Sequence, residues 1–135
     1  YIGSRGLGDV YKRQDEGLLN DIFALDLSKR DTSPAMQSYA DLTEFIIRYP
    51  ESEYIDAARE RLIFLRNLIA SSELDGAEYY MKRGAYLAAV NRANYVLKNI
   101  PNSTERERAL RILKEAYKQL GYDEYAEKIS SFEAN

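Results

Sequence analysis

The second half of the sequence repeats itself with a period of 37 residues. Three landmarks, a tyrosine, a glycine and an alanine, keep the same intervals in two consecutive stretches: Tyr80, Gly84 and Ala89, then Tyr117, Gly121 and Ala126. A fixed period between roughly 20 and 50 residues is typical of solenoids, in which each repeat buries its apolar face by stacking on its neighbours. This feature restricts the fold more than any other in the sequence.

The residue types at these landmarks favour pairs of α-helices. A period of about 34 residues, with Tyr before a Gly turn, a small Ala after it and Pro at the end of the second helix, is typical of tetratricopeptide repeats. Ala suits a close helix crossing, Gly suits a turn that needs positive φ, and Pro ends a helix. We therefore predict an all-α fold of tetratricopeptide-like helix-turn-helix repeats forming a short α-solenoid. An alanine-rich helical bundle is the alternative.

Apolar periodicity and end signals predict six helices in the repeat region, residues 34–135. The predicted ranges are 34–49, 53–71, 72–83, 85–100, 104–120 and 123–132. Three of the starts carry N-terminal signals: Ser33 with Pro34, Ser72 with Asp75, and a capping box of Thr104 and Glu107. Gly84 and Gly121 are predicted to cap helices in the left-handed conformation, and Pro50 and Pro101 to follow helix ends.

Two helices are predicted to be buried in particular ways. The first places its apolar residues on one face: Tyr39, Leu42, Ile46 and Tyr49. The second carries one apolar face and the beginning of another, which contains Ile55, Ile63, Phe64 and Leu68. Because a helix that is apolar on two sides packs between neighbours, we expect the second helix to be covered on both.

The first 33 residues differ from the rest. Residues 1–14, YIGSRGLGDVYKRQ, are glycine-rich and resemble the translated remnant of a sequencing adapter, so we interpret them as a non-native or disordered segment; a natural flexible start is the alternative. Residues 15–33 hold a short amphipathic stretch that predicts a packed loop or partial helix. The repeats at 34–135 then represent the C-terminal half of a longer protein.

The amino-acid composition excludes several classes of function. The chain has no His, Cys or Trp, which excludes imidazole bases, cysteine nucleophiles and Cys/His zinc sites, and we predict no metal or cofactor. A net charge of -3 gives no basic excess for nucleic acid. An enzyme that uses the carboxylate pairs Asp123/Glu124 or Glu105/Glu107 is disfavoured because acids at helix starts complement the helix dipole. We predict a non-enzymatic scaffold.

Residues 25–132 resemble the C-terminal repeats of the BamD family, tetratricopeptide-repeat lipoproteins that assemble outer-membrane proteins. The stretches that carry the resemblance are LDLSKRDTSPAMQSYADLTEFIIRYPESEYIDAARERLIFLRNLIA, AEYYMKRGAYLAAVNRANYVLKNIP, and AYKQLG with Ala126. The most specific part is AEYYMKRGAYLAAVNR, whose aromatic pair, Arg-Gly turn and Asn-Arg ending go beyond the general repeat pattern.

The resemblance implies a periplasmic lipoprotein held at the inner leaflet of the outer membrane by lipid on an N-terminal Cys. Its implied partners are the POTRA region of the barrel subunit BamA, companion lipoproteins and unfolded β-barrel precursors, with no nucleic acid. The sequence departs from the family pattern in lacking the lipidated Cys and the N-terminal repeats, which are the part of the family thought to receive precursors. A generic cytosolic peptide-binding repeat protein is the alternative.

The resemblance also implies that these repeats dock to the membrane-proximal POTRA domain. The candidate partner-binding residues are Arg92, Asn91 and Arg83, with Lys82 and Glu78 nearby. Arg92 is foremost because a guanidinium can pair bidentately with a carboxylate across an interface. The structural alternatives are an intramolecular pair of Arg92 with Glu78 or Glu115 or a solvated charge, and an Arg83 that bonds helix-end carbonyls.

Overall fold

The computed structural model describes residues 34–133, which contain five α-helices and no β-strand. The helices are α1 (Pro34–Arg48), α2 (Ile55–Lys82), α3 (Tyr86–Asn99), α4 (Arg106–Leu120) and α5 (Asp123–Glu133). The predicted all-α class is confirmed. The predictions for residues 1–14 and 15–33, including the Ser33 cap, lie outside the described residues. None of the described helices has the length and apolar character needed to cross a membrane.

The chain divides into two compact units, residues 1–65 and 66–135. In the first unit, α1 buries Met36, Tyr39 and Thr43, spaced by three and four residues. The Thr43 hydroxyl donates a hydrogen bond of 2.7 Å to the Tyr39 carbonyl, so a polar side chain is tolerated on this buried face. The predicted apolar face of α1 was therefore partly wrong, since Tyr39 is buried but Tyr49 is 57% exposed.

α2 is one continuous helix of 28 residues, so the predicted break at Ser72 was wrong. Ser72 and Asp75 were interpreted as a helix start, but both are exposed residues in the middle of α2. Strong helix formers flank them on both sides, and no proline interrupts the run. The prediction of two covered faces was also wrong in part, because Ile55 is buried whereas Phe64 and Leu68 are 53% and 45% exposed.

The 37-residue repeat is reproduced in the backbone of the second unit. Gly84 and Gly121 have φ angles of 75° and 84°, which confirms both predicted left-handed caps. The Ala85 and Tyr122 amides each donate a 2.9 Å hydrogen bond to the carbonyl five residues earlier, and both glycine amides close 3.1 Å bonds three residues back. These are the two bonds of a Schellman motif, which satisfies carbonyls at the helix end.

Small and aliphatic side chains form the core of the second unit. α4 packs against both α3 and α5. The repeat alanines, Ala89 and Ala126, are 0% and 3% exposed, as expected where helices approach closely. Other fully buried residues of this unit are Ala70, Leu74, Ala77, Ala93, Val96, Ile100, Ala109 and Ala116.

The predicted capping box at α4 was wrong. Glu105 takes the N-cap position and makes no side-chain capping bond, and the helix begins at Arg106. The Thr104 amide instead donates a 3.1 Å hydrogen bond to the Asn67 side-chain carbonyl on α2. Asn67 on α2 therefore satisfies the Thr104 amide, for which the sequence had predicted a local partner, Glu107.

Arg108 on α4 binds three carboxylates. Its guanidinium lies 2.6 Å from Asp75 and 2.9 Å from Glu78, both on α2, and 3.2 Å from Glu105. The Arg108 side chain is 21% exposed, which limits competition from water. The hydrogen bond from Arg108 lowers the pKa of Glu78 below its ordinary value of 4.5, although partial burial acts in the opposite direction. This cluster ties α4 to the part of α2 that carries the candidate site.

We predict opposite effects for the same substitution at two glycines. Gly121→Ala should destabilise the chain by about 1 kcal/mol, because a Cβ is strained at positive φ. Gly76→Ala should stabilise it by about 1 kcal/mol, since glycine is unfavourable inside a helix and the new Cβ would lie 3.8 Å from Arg92 Nη1, an ordinary contact. Urea unfolding midpoints measure both, and a stabilising Gly121→Ala would contradict the assigned turn.

Removal of the Arg108 side chain should destabilise the protein by about 1–2 kcal/mol, because three carboxylates share one partly buried guanidinium and would then repel one another. The measurement is the unfolding free energy of Arg108→Ala. Arg111→Ala is the matched control, since Arg111 is an exposed arginine on the same helix. Equal effects of the two substitutions would show that the cluster contributes nothing specific.

The lowered pKa of Glu78 predicts a pH dependence. A carboxylate whose folded pKa lies below its unfolded value stabilises the fold above the unfolded pKa, and this stabilisation is lost as the pH falls through the folded pKa. Glu78→Gln should therefore lower the unfolding midpoint at pH 7 and have progressively less effect as the pH falls below 4.5. In an Arg108→Ala background this pH-dependent difference should vanish; its persistence would assign the shift to another group.

Candidate functional site

The five predicted partner-binding residues lie around the Gly84 turn of the second compact unit. Glu78 and Lys82 are on the last turns of α2, Arg83 directly follows that helix, and Asn91 and Arg92 are on α3. The Schellman hydrogen bonds of the turn hold the end of α2 next to the start of α3. One helix pair therefore carries the whole predicted set.

Arg92 reaches back from α3 to α2. Its Nη1 lies 3.1 Å from Glu73 Oε2, and its guanidinium carbon lies 5.8 Å from the centre of the Tyr80 ring. Gly76 lies beside the guanidinium, and a Cβ built there would lie 3.8 Å from Nη1, which is an ordinary van der Waals contact. The Arg92 side chain remains 38% exposed, whereas that of Glu73 is 13% exposed. The charged end of Arg92 is thus held on α2 while still in contact with solvent.

The pKa of Arg92 is raised above its ordinary value. Partial burial acts against the charged form, but the hydrogen bond and charge of Glu73 outweigh it, with a further contribution from Tyr80. The guanidinium is therefore a permanent cation under all ordinary conditions. In chemical terms it can donate hydrogen bonds and attract an anion, and it cannot transfer a proton.

The pairing partner of Arg92 was predicted wrongly. Arg92 forms an intramolecular pair, as the structural alternative expected, but with Glu73 in place of Glu78 or Glu115. Glu78 bonds Arg108, and Glu115 accepts a 3.0 Å hydrogen bond from Gln119. Glu73 had a detectable signal, because it lies seven residues before Tyr80 on the same face of α2. The sequence does not show, however, that Arg92 of α3 turns towards this face.

Arg83 stacks on an aromatic ring. Its guanidinium carbon lies 4.6 Å from the centre of the Tyr79 ring, and Tyr79 is 51% exposed. The backbone already satisfies the helix-end carbonyls that Arg83 was expected to bond, since the Tyr80 carbonyl accepts from the Arg83 and Ala85 amides. Arg83 therefore presents an exposed cation on an exposed ring, a pairing that is common at protein interfaces.

The remaining members of the predicted set are Lys82 and Asn91. Both are exposed, on α2 and α3 respectively, and Leu87 near them is 64% exposed. The surface around the Gly84 turn thus combines cations, an amide and apolar side chains, a mixture that suits binding to another protein. Glu78 bonds Arg108 instead, so it is separated from the other four residues of the predicted set.

The carboxylates considered for catalysis lie at helix starts. Asp123 and Glu124 are in the first turn of α5, and Glu107 is in the first turn of α4. Glu105 precedes α4 and bonds Arg108. Within residues 34–133, no group of three or more potential ligands is arranged to hold a metal ion.

Comparisons with known proteins identify the family of the chain. A family model described as outer membrane lipoprotein, YfiO, matches residues 5–131. The chain is 35% identical over 124 residues to the outer membrane protein assembly factor BamD of Vibrio cholerae, with 92% of this chain and 51% of the relative covered.

Similar relatives occur in other bacteria. The chain is 38% identical over 117 residues to the assembly factor of the same name in Xylella fastidiosa, with 87% of this chain and 39% of the relative covered. For that of Neisseria meningitidis the identity is 37% over 122 residues, with 90% and 45% covered. The chain spans between 39% and 51% of the length of these curated relatives. The chain belongs to the YfiO family of outer membrane lipoproteins.

Proposed function

We propose that this chain is part of a non-enzymatic scaffold lipoprotein of the outer-membrane β-barrel assembly machinery. The observation that carries the proposal is the family match over residues 5–131, because the similar relatives are named outer membrane protein assembly factors. In this role the protein works at the periplasmic face of the outer membrane and binds other proteins. Companion lipoproteins and unfolded β-barrel precursors are further proposed partners.

The specific contact that we propose is docking of the surface around the Gly84 turn to the POTRA region of BamA. Arg92 supports this proposal because its guanidinium bonds Glu73 on α2 while the side chain remains 38% exposed. Arg83, stacked on Tyr79, adds a second exposed cation at the same turn. An acidic patch on the partner would complement these charges and increase the association rate.

A second candidate function is favoured by one observation in the first compact unit. An open apolar groove of about 400 Å³ is lined by Leu42, Phe45, Tyr54, Ala57, Ala58 and Arg61. Apolar concave surfaces of tetratricopeptide-type repeats suit extended peptides, so a general peptide-binding adaptor remains the alternative. Binding of the chain to unrelated apolar peptides but not to the POTRA region would favour the adaptor.

We predict that Arg92→Glu weakens binding to the POTRA region by at least about 1 kcal/mol, because the substitution replaces an attraction to a carboxylate by a repulsion. The measurement is a calorimetric titration with the purified POTRA region of Vibrio cholerae BamA, since a relative from that organism is 35% identical. Arg111→Glu makes the same change of charge on α4 and should leave the affinity unchanged. If Arg92→Glu keeps its circular dichroism spectrum and its affinity, Arg92 does not dock the partner.

A further inference from the structure

Three residues of α2 form a cradle for the side chain of Arg92: Glu73, Gly76 and Tyr80. They are spaced by three and four residues, so they lie on one face of the helix. Glu73 accepts a hydrogen bond of 3.1 Å from Arg92 Nη1, and the Tyr80 ring centre lies 5.8 Å from the guanidinium carbon. Gly76, between them, lies next to the guanidinium, and a Cβ built there would be 3.8 Å from Nη1. The cradle fixes the position of a cation at the surface.

The contact with Glu73 does not exhaust the hydrogen-bonding capacity of Arg92. A guanidinium carries five N–H donors in a planar arrangement, and the bond to Glu73 uses one of them. Even with the nearby Tyr80 hydroxyl as a second acceptor, donors remain on a side chain that is 38% exposed. A second carboxylate, from another molecule, can therefore bind Arg92 without displacement of Glu73.

We propose that Glu73 is a positioning residue, which orients Arg92 so that the guanidinium bridges Glu73 and a carboxylate of the protein partner. This inference rests on the proposed docking function. An arginine on a protein surface loses rotamer freedom when it binds, whereas an arginine already held by Glu73 has lost it beforehand. Lysine would replace Arg92 poorly, since its three donors share one compact nitrogen and lack the planar geometry that binds a carboxylate bidentately.

The negative charge of Glu73 has an opposing effect, because it repels the carboxylate of the partner. The repulsion acts across the positive guanidinium, and salt and water screen it at a partly exposed site. We therefore expect the orienting effect to be the larger. The two effects can be separated experimentally, because they predict different results for two substitutions of Glu73.

The test uses Glu73→Gln and Glu73→Asp in the whole 135-residue chain, titrated with the POTRA region of Vibrio cholerae BamA. Gln removes the charge, whereas Asp retains it on a side chain that is one methylene shorter and no longer reaches Arg92. We expect each substitution to weaken binding by about threefold to tenfold, the effect of ordering one flexible side chain. Glu127→Gln, an exposed site on α5, is the control for charge and should change nothing.

Two further measurements distinguish orientation from a structural effect. In an Arg92→Ala background, both Glu73 substitutions should have no additional effect on binding, because the residue acts through Arg92. In the free chain, NMR relaxation of the Arg92 Nε–H group should show greater mobility in both Glu73 variants. Each of these results would support the positioning role, and the second does not require any partner.

Several outcomes would overturn the inference. Tighter binding by Glu73→Gln with unchanged binding by Glu73→Asp would show that Glu73 acts only as a repelling charge. Effects that persist in the Arg92→Ala background would assign Glu73 a structural or direct role. If Arg92→Glu weakens binding but neither Glu73 variant does, the positioning role alone fails. If the wild-type chain does not bind the POTRA region, the proposed function fails and the positioning role fails with it.

Discussion

The left-handed turn at Gly84 and Gly121 is the constraint on which the second compact unit depends. Positive φ at each glycine allows the last carbonyls of one helix to be satisfied while the chain reverses into the next helix. The same hydrogen bonds close both turns, so the helix that follows begins at an equivalent position each time. Buried Ala89 and Ala126 then permit close helix packing just after each turn. The repeat in the sequence is therefore a repeated backbone requirement.

Acidic residues in the second half of α2 form ion pairs with the two helices that follow it. One face presents Glu73 to Arg92 of α3, and another presents Asp75 and Glu78 to Arg108 of α4. Because the two arginines come from different helices, α3 and α4 are each joined to α2 by separate ion pairs. This arrangement requires α2 to continue without interruption through these residues.

The sequence was sufficient to predict features that depend on the conformation of single residues. The two glycine caps were predicted correctly because positive φ is a local requirement that few residues meet. Polar start signals were less reliable: Ser72 and Asp75 suit a helix end and an exposed helix surface equally well. The sequence did not determine which charged side chains pair between helices. Whether Arg92 reaches Glu73 or Glu78 depends on how two helices are rotated about their axes, and that rotation is set by the packing of the whole unit.

The comparison of Arg92 with Arg108 shows why residue type alone does not define the candidate site. Both are arginines that bind carboxylates of α2. Arg108 is 21% exposed and already bonds three carboxylates, so an incoming anion would meet repulsion and few remaining donors. The Arg92 side chain is 38% exposed, bonds Glu73, and has further N–H donors beyond that bond. The Arg108 cluster holds helices together, whereas the pair of Arg92 and Glu73 can also accept a carboxylate of a partner. Arg92 thus differs from Arg108 in one physical respect: it is held in position by α2 and still has unused hydrogen-bond donors for a partner.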